Sequence, residues 1–405
     1  MPAEPPTDRP LHVLAVADSD SYLKWACATL RTMDDASDVR TSAVIVRNPL
    51  APTPEQVDAA VAGTDVPPPR VVGPGRLRRL ADTWRPDVVL VAATGPVAEM
   101  VARAVAGGGA RRREGGRPAL VTGLPGVALP ATATGTGWRR WCDAFVVHGR
   151  REVEAYRSAF EAHGTAPAVV LSRLPFLGGA APGADREIHR VVFAPQALVP
   201  ADREDRVRLL RGLAALTDQG FETVVKLRAR AGERQTHNER YPLDALWDAV
   251  HDDLGRPHDA IRFVDGPMAR WLTPGTALAT VSSTAALEAM ARGLPTVLVD
   301  DFGVSDRLLN EPFVGSGCLV SLADLPVLLR TGGPTPDPGW TEDNYLHAEA
   351  SALPTTVRNL ARRRRAGQLR PVGRVRPLSW PRHAWTTVRS TLPTTLSRRL
   401  VRRVR

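Results

Sequence analysis

Short apolar runs alternate with longer amphipathic stretches along most of this chain. The short runs are rich in Val, Leu and Ala, which is typical of buried strands, and the stretches between them repeat apolar residues at helical spacing. Strands that alternate with helices predict parallel sheets joined by crossover helices. In the first half the predicted strands are Leu11–Ala17, Ser42–Arg47, Val88–Ala92, Ala119–Thr122, Ala144–Val147 and Ala168–Leu171. The predicted helices are Tyr22–Thr32, Pro54–Ala62, Arg76–Trp84, Val97–Ala106 and Glu152–His163.

The same pattern restarts after a segment rich in glycine and alanine, residues 178–187, which we interpret as a linker. Predicted strands follow at Arg190–Phe193, Thr223–Leu227, Ile261–Val264, Ala277–Val281, Thr296–Val299 and Cys318–Ser321, and predicted helices at Arg203–Thr217, Leu243–Asp252 and Thr284–Arg292. The fold class is therefore α/β, with two Rossmann-like domains at residues 10–177 and 188–340. Residues 1–9 are expected to be a disordered N-terminus, residues 341–365 a C-terminal helix, and residues 366–405 an Arg-rich tail.

The segment between two of these strands, residues 280–296, contains the most informative motif. Ser282, Ser283 and Thr284 stand where a helix is predicted to begin, so unpaired backbone N–H groups and the positive end of the helix dipole meet small hydroxyl side chains. Such a turn can hold a phosphate group. Glu288 lies one helical turn after Thr284, where a carboxylate can accept hydrogen bonds from a ribose diol. The alternative is an ordinary helix N-cap with no ligand.

This unit of strand, hydroxyl turn, helix, Gly293-Leu-Pro295 and second strand resembles the donor-nucleotide motif in the C-terminal domain of GT-B glycosyltransferases. The resemblance is closest to the capsule-polysaccharide, polysialyl- and CDP-glycerol-type transferases and more distant to the UDP-sugar 2-epimerases. It covers residues 10 to about 365. It implies a GT-B fold, in which two Rossmann-like domains face a cleft, and a donor nucleotide bound by Ser282, Ser283, Thr284 and Glu288.

Two further segments of the second half match donor-binding positions of the related transferases. Those enzymes place a Lys at a strand end, often as Lys-x-His-Pro, against the donor phosphate. Here Lys226 lies at the end of a predicted strand, Arg228 stands two residues later, and the His-Pro pair is absent, although His237 comes later in the same loop. Lysine and arginine would neutralise phosphate, and a histidine would donate to it or transfer a proton. The resemblance also places Gly266 beneath the base. The alternative for the segment from Lys226 to His237 is a solvated charged loop, and the alternative for Gly266 is a plain turn.

Candidate catalytic residues of the first half follow its first strand. An inverting sugar transfer needs a base within about 3 Å of the acceptor hydroxyl, and Asp18 and Asp20 stand at a strand end where the cleft is expected to open. The alternative is a pair of helix-capping residues. Because Asp18-Ser-Asp20-Ser stands where a dinucleotide-binding enzyme has G-x-G-x-x-G, we reject the dehydrogenase interpretation.

The net charge of +10 is unevenly distributed. Residues 361–405 contain 14 Arg and no Lys, Asp or Glu, so the remaining 360 residues carry a net charge of −4. Arginine with Trp380 and Trp385 and no acidic residue is typical of a segment that meets an anionic membrane surface. Nucleic acid would attract the same charge, and a solvated tail without a partner is the third alternative. Cys27, Cys142 and Cys318 are expected to be reduced core thiols.

We therefore interpret the chain as a metal-independent, inverting GT-B glycosyltransferase. It would transfer a sugar or polyol-phosphate unit from a nucleotide-activated sugar, its donor substrate, to a glycan or lipid-linked acceptor, with no cofactor. Cytoplasmic localisation at the inner membrane face is expected, and nucleic acid is not the expected partner. A nucleotide-sugar epimerase of the same fold is one alternative, although its Ser-Gly-Gly and Glu-Glu motif forms are absent. A non-enzymatic, basic-tailed nucleic-acid-binding protein is the other.

Overall fold

The apolar runs of the first half form a parallel sheet of seven strands in the order β3-β2-β1-β4-β5-β6-β7. The strands are β1 (Leu11–Ala17), β2 (Val39–Val46), β3 (Arg70–Val72), β4 (Val88–Ala92), β5 (Ala119–Gly123), β6 (Ala144–Val147) and β7 (Ala168–Leu171). The helices between them are α1 (Asp20–Arg31), α2 (Pro54–Val61), α3 (Pro74–Trp84), α4 (Gly95–Ala106), α5 (Ala133–Gly137) and α6 (Arg150–Glu161). Every residue of β1 and β4 is buried, as expected for central strands with helices on both faces.

The second half forms a separate parallel sheet of six strands in the order β10-β9-β8-β11-β12-β13. Its strands are β8 (Arg190–Phe193), β9 (Glu222–Lys226), β10 (Arg262–Val264), β11 (Thr276–Thr280), β12 (Thr296–Val299) and β13 (Leu319–Val320). Its helices are α7 (Arg203–Ala215), α8 (Leu243–Val250), α9 (Ala285–Ala291), α10 (Leu325–Arg330) and α11 (Pro338–Asp343). The predicted pair of parallel-sheet α/β domains is therefore confirmed.

This computed structural model describes residues 9–33, 38–106, 116–177, 187–197, 199–227, 239–370 and 376–393. The chain divides into a first unit, residues 1–175 and 349–405, and a second unit, residues 176–348. The expected N-terminus up to residue 8 and the expected linker at residues 178–186 lie outside the described residues.

The helix expected at residues 341–365 is two helices that belong to different units. Helix α11 ends at Asp343, and α12 (Leu353–Arg365) begins ten residues later in the first unit. Each helix has a proline in its first turn, where its missing N–H costs no helical hydrogen bond. Pro354 therefore marks a helix start inside the segment that the sequence pattern joined into one helix.

Part of the segment expected as a tail folds against the first unit. Helix α13 (Trp380–Thr391) packs on α3 and α4. The backbone N–H of Leu378, just before α13, donates to the buried carboxylate of Glu99 at 2.7 Å. At the other end of the helix, Arg47 donates to the carbonyl of Thr391 at 3.2 Å. The arginine-rich composition did not indicate this packing, because the polar partners come from the body of the protein.

Candidate functional site

Each sheet has one position where the chain leaves neighbouring strands in opposite directions. In the first unit this switch point lies between β1 and β4, and in the second unit between β8 and β11. In open parallel sheets, ligands bind beyond the carboxyl ends of the strands at such a position. The two candidate clusters of the sequence, at Asp18 and at Ser282, each follow a strand that borders a switch point.

The predicted hydroxyl turn of the second unit follows β11. Ser282 and Ser283 are buried, and Thr284 is half-buried at the N-terminus of α9. The Ser283 hydroxyl accepts from the N–H of Ala285 at 3.2 Å, so this side chain caps the helix. Thr284 makes no side-chain capping bond, and Glu288 is half-buried one turn further along α9, as its spacing predicted. The turn therefore combines one capping hydroxyl with a more exposed threonine hydroxyl.

A glutamine that the sequence pattern did not select holds this turn from the neighbouring strand. Gln196 follows β8, and its side-chain amide donates to the Ser282 carbonyl at 2.8 Å while accepting from the Ser282 hydroxyl at 2.9 Å. Thr280 also donates its hydroxyl to the Ala194 carbonyl at 2.7 Å. The loops after β8 and β11 are thus joined across the switch point. The sequence shows that Gln196 follows a buried strand, but it does not show that this strand lies beside the strand that leads to Ser282.

Two more predicted donor residues lie along the same edge of this sheet. Lys226 is the last residue of β9 and is half-buried, and it pairs in register with Val264 of β10. Gly266 follows β10 with φ of 86°, and a Cβ atom built on it would meet open space. The predicted residues Arg228 and His237 lie outside the described residues. The structure therefore places Lys226, Gly266 and the hydroxyl turn at the carboxyl ends of strands of the same parallel sheet.

Asp18, at the switch point of the first unit, is fully buried. Its Oδ2 accepts from the N–H of Thr94 at 3.0 Å and from the Thr94 hydroxyl at 2.5 Å, which joins the ends of β1 and β4. Asn48 donates to the Asp18 carbonyl at 2.7 Å. Burial raises the pKa of Asp18, and the hydrogen bonds from Thr94 oppose that shift only in part. Its second oxygen, Oδ1, is buried and has no hydrogen-bond partner among the described residues.

Asp20, the other acidic candidate, is the first residue of α1 and is half-buried. Two residues further along α1, the hydroxyl of the buried Tyr22 accepts from Arg139 at 3.0 Å. Arg139 also donates to the carbonyl of Ala93 at 2.8 Å, so it bridges α1 and the end of β4. The structure therefore separates the two aspartates: Asp18 joins two strand ends, and Asp20 stands at a helix start.

Other features of the described parts of the chain bear on cofactors and membranes. Within the described ranges no three His, Cys, Asp or Glu side chains are grouped so that they would hold a metal ion. Among the described helices none is long and apolar enough to cross a membrane. Cys27, Cys142 and Cys318 are free and buried, as predicted, and burial raises the pKa of the Cys27 thiol to about 11.

Comparisons with known proteins agree with this architecture. A family model described as "Putative glycosyltransferase (DUF6716)" matches residues 13–360. The UDP co-structure of MnaA from S. aureus is similar in fold, with a TM-score of 0.58 and 11% identity over 89% of this chain and 98% of that one. A putative UDP-N-acetylglucosamine 2-epimerase from Listeria monocytogenes gives a TM-score of 0.54 and 11% identity, with 90% and 92% of the two chains covered. No curated protein matches the chain. At this identity the structural likeness concerns the fold alone.

Proposed function

The chain belongs to the DUF6716 family of putative glycosyltransferases, and on this premise we propose that it transfers a sugar or polyol-phosphate unit from a nucleotide-activated donor to a glycan or lipid-linked acceptor. The observation that carries the choice of donor site is the turn Ser282–Thr284 at the switch point of the second sheet. Small hydroxyl residues at a helix start suit a phosphate. Within this fold class we propose that the chain is of the capsule-polysaccharide, polysialyl- and CDP-glycerol-type transferases, which its donor motif resembles.

In the proposed reaction, the acceptor hydroxyl oxygen attacks the anomeric carbon of the donor sugar. Its proton passes to a carboxylate, and the bond between the anomeric carbon and the phosphate oxygen breaks, so the nucleotide leaves. We assign the base to Asp20 rather than Asp18, because Asp18 is fully buried and one of its oxygens is occupied by Thr94. Lys226 and the hydroxyl turn would stabilise the charge that develops on the leaving phosphate.

The experiment that tests this function is a screen of the full chain against UDP-, CDP-, GDP- and CMP-linked sugars, read by ligand-observed NMR and by product analysis with a glycan acceptor. Binding of one nucleotide class and sugar transfer are expected. A product that is an epimer of the donor sugar would identify an epimerase instead. No binding of any nucleotide, together with tight RNA binding, would favour the nucleic-acid alternative.

Replacing Lys226 with Ala is expected to weaken binding of a nucleoside diphosphate roughly 10- to 100-fold, while binding of the nucleoside changes little. The reason is that a charged hydrogen bond to phosphate contributes about 1.5–3 kcal/mol, and the nucleoside has no phosphate. Calorimetric titration of both ligands measures the ratio. Lys24→Ala is the matched control, because Lys24 is the only other lysine and is exposed in the first unit. Equal loss for both ligands would limit Lys226 to a structural role.

We also propose that α13 and the residues after it meet an anionic membrane surface. Trp380, Ala384 and Val388 are exposed at a spacing of four residues, which forms an apolar stripe along one face of α13. Five of the 14 Arg follow at positions 398–405. An exposed Trp beside basic residues suits the boundary between headgroups and acyl chains.

The expected result is that the full chain co-sediments with phosphatidylglycerol vesicles at low salt and not with phosphatidylcholine vesicles. A chain shortened after Pro393 should bind more weakly, because each arginine near anionic lipid contributes about 1 kcal/mol, and added salt should weaken both. Cutting earlier, at residue 361, would also remove the arginines that bind Asp87 inside the first unit. Equal sedimentation of the two chains with anionic vesicles would contradict the membrane assignment.

A further inference from the structure

A buried arginine connects the loops around the proposed donor site of the second unit. Arg206 lies in the first turns of α7, and only 2% of it is exposed. Burying a guanidinium group is costly unless its N–H groups are paired. The side chain of Arg206 meets this condition entirely with groups from neighbouring loops.

The guanidinium of Arg206 donates hydrogen bonds to two segments of the second unit. In the loop after β8, Arg206 donates to the carbonyls of Gln196 at 3.2 Å, Ala197 at 2.9 Å and Pro200 at 2.8 Å. In the segment before α8, it donates to the carboxylate of Glu239 and to the carbonyl of Tyr241 at 2.8 Å. The guanidinium therefore uses five hydrogen bonds to fix two segments, the loop after β8 and the segment before α8.

Gln196 transmits this fixed position to the hydroxyl turn. Its backbone carbonyl is held by Arg206, and its side-chain amide makes the reciprocal pair of hydrogen bonds with Ser282. The amide therefore satisfies both the hydroxyl and the carbonyl of one residue of the turn. A methionine of similar length would satisfy neither.

We propose that Gln196 and Arg206 are positioning residues of the donor site: Arg206 fixes the loop after β8, and Gln196 holds the Ser282–Thr284 turn in the conformation that receives the donor phosphates. This inference rests on the proposed function. It adds two residues that do not themselves need to touch the donor. Preorganised hydrogen-bond donors bind a phosphate better than a turn that must be ordered on binding.

The test compares Gln196→Met with Gln219→Met. Gln219 is exposed and accepts from Arg330, so the control deletes an amide hydrogen bond in the same unit without touching the turn. UDP, CDP, GDP and ADP are titrated calorimetrically at 10 °C, and circular dichroism at that temperature first checks that both variants are folded. Gln196→Met is expected to raise the Kd of the bound nucleoside diphosphate about tenfold and that of the nucleoside less than twofold. Gln219→Met is expected to leave both unchanged.

Two further variants separate positioning from general destabilisation. Ser282→Ala removes the hydroxyl that donates to the Gln196 side chain. Because both substitutions delete the same interaction, the Kd of the double variant should rise by less than the product of the two single-variant effects. Arg206→Lys keeps the positive charge beside Glu239 but loses the planar guanidinium, whose N–H groups reach both segments. It should therefore raise the Kd of the nucleoside diphosphate several-fold. Arg211→Lys, an exposed change on α7, is its control.

The outcomes distinguish this inference from the proposed function. If the wild-type chain binds a nucleoside diphosphate and Gln196→Met binds it with the same Kd, the positioning role is wrong and the proposed function stands. Strictly multiplicative effects in the double variant would also overturn it. If the wild-type chain binds none of the four diphosphates and none of the nucleotide-linked sugars of the donor screen, CMP-linked sugars included, the proposed function fails, and this inference fails with it.

Discussion

Replacing Asp87 with Ala is expected to lower the free energy of unfolding by about 3–5 kcal/mol, because it leaves the buried Arg364 and the partly buried Arg365 without their counterion. The Asp87 carboxylate is fully buried and accepts from Arg9 at 2.7 Å, Arg364 at 3.0 Å and Arg365 at 2.7 Å. It also accepts from the backbone N–H of His12 at 3.1 Å. Chemical denaturation of the full chain measures the change. Asp58→Ala, at an exposed position of α2, should change stability by less than about 0.5 kcal/mol.

The pH dependence of this contribution follows from the pKa of Asp87. Burial opposes its charged form, but the hydrogen bonds from Arg365 and from the His12 N–H, together with the charges of the arginines, outweigh burial and hold the pKa below its usual value. The contribution is therefore complete above the unfolded pKa of about 3.9 and is lost as the pH falls through the lower folded pKa. The stability difference between wild type and Asp87→Ala should be constant near neutral pH and shrink below about pH 4. A difference under 1 kcal/mol at pH 7 would contradict the anchoring role of the cluster.

Replacing Ser283 with Val is expected to reduce nucleotide affinity and kcat/KM by about 100-fold or more. The branched side chain would stand in a buried turn, remove the acceptor of the Ala285 N–H, and keep a phosphate away from the backbone. Calorimetric titration with the bound nucleotide and steady-state kinetics measure the two effects. Thermal unfolding is followed in parallel, because Ser283 is buried and its replacement also costs stability.

A second substitution in the same turn keeps this prediction testable if Ser283→Val folds poorly. Thr284→Val preserves the shape of a half-buried side chain and removes only a hydroxyl that makes no helix-capping bond. About a tenfold loss of nucleotide affinity is expected. Thr331→Val, which deletes an exposed hydroxyl at the end of α10, should bind nucleotide normally. Wild-type Kd values for both turn variants would show that the donor binds elsewhere.

The link between Asp87 and α12 also changes how the basic C-terminal segment is understood. Arg364 and Arg365 bind a carboxylate of the first unit, and Arg117 donates to the carbonyl of Arg370 at 2.7 Å. Part of the positive charge of residues 361–405 therefore stabilises the fold. The proposed membrane contact rests on the exposed stripe of α13 and on the arginines that follow it.

The sequence by itself determined the fold class and many strand bounds. The strands β1, β4, β6, β7, β8 and β12 have the bounds that the apolar runs predicted. Central strands of a parallel sheet are covered on both faces, so they leave continuous apolar runs between polar residues in the sequence. The short edge strand β3 was missed because its residues, Arg70–Val72, are mostly exposed and carry no such signal. The hydroxyl turn was likewise visible, because its residues are contiguous.

Only the tertiary structure decided which of these segments meet. Strand order, and with it the two switch points, depends on packing between elements and leaves no local pattern in the sequence. Gln196 and Ser282 are 86 positions apart, and Asp87 and Arg364 are 277 positions apart, yet each pair is hydrogen-bonded. Such contacts become favourable only when the sheets and helices around them bury the polar groups together, because a buried group without its partner is costly. The chain therefore encodes its strands locally and assembles its proposed site through long-range packing.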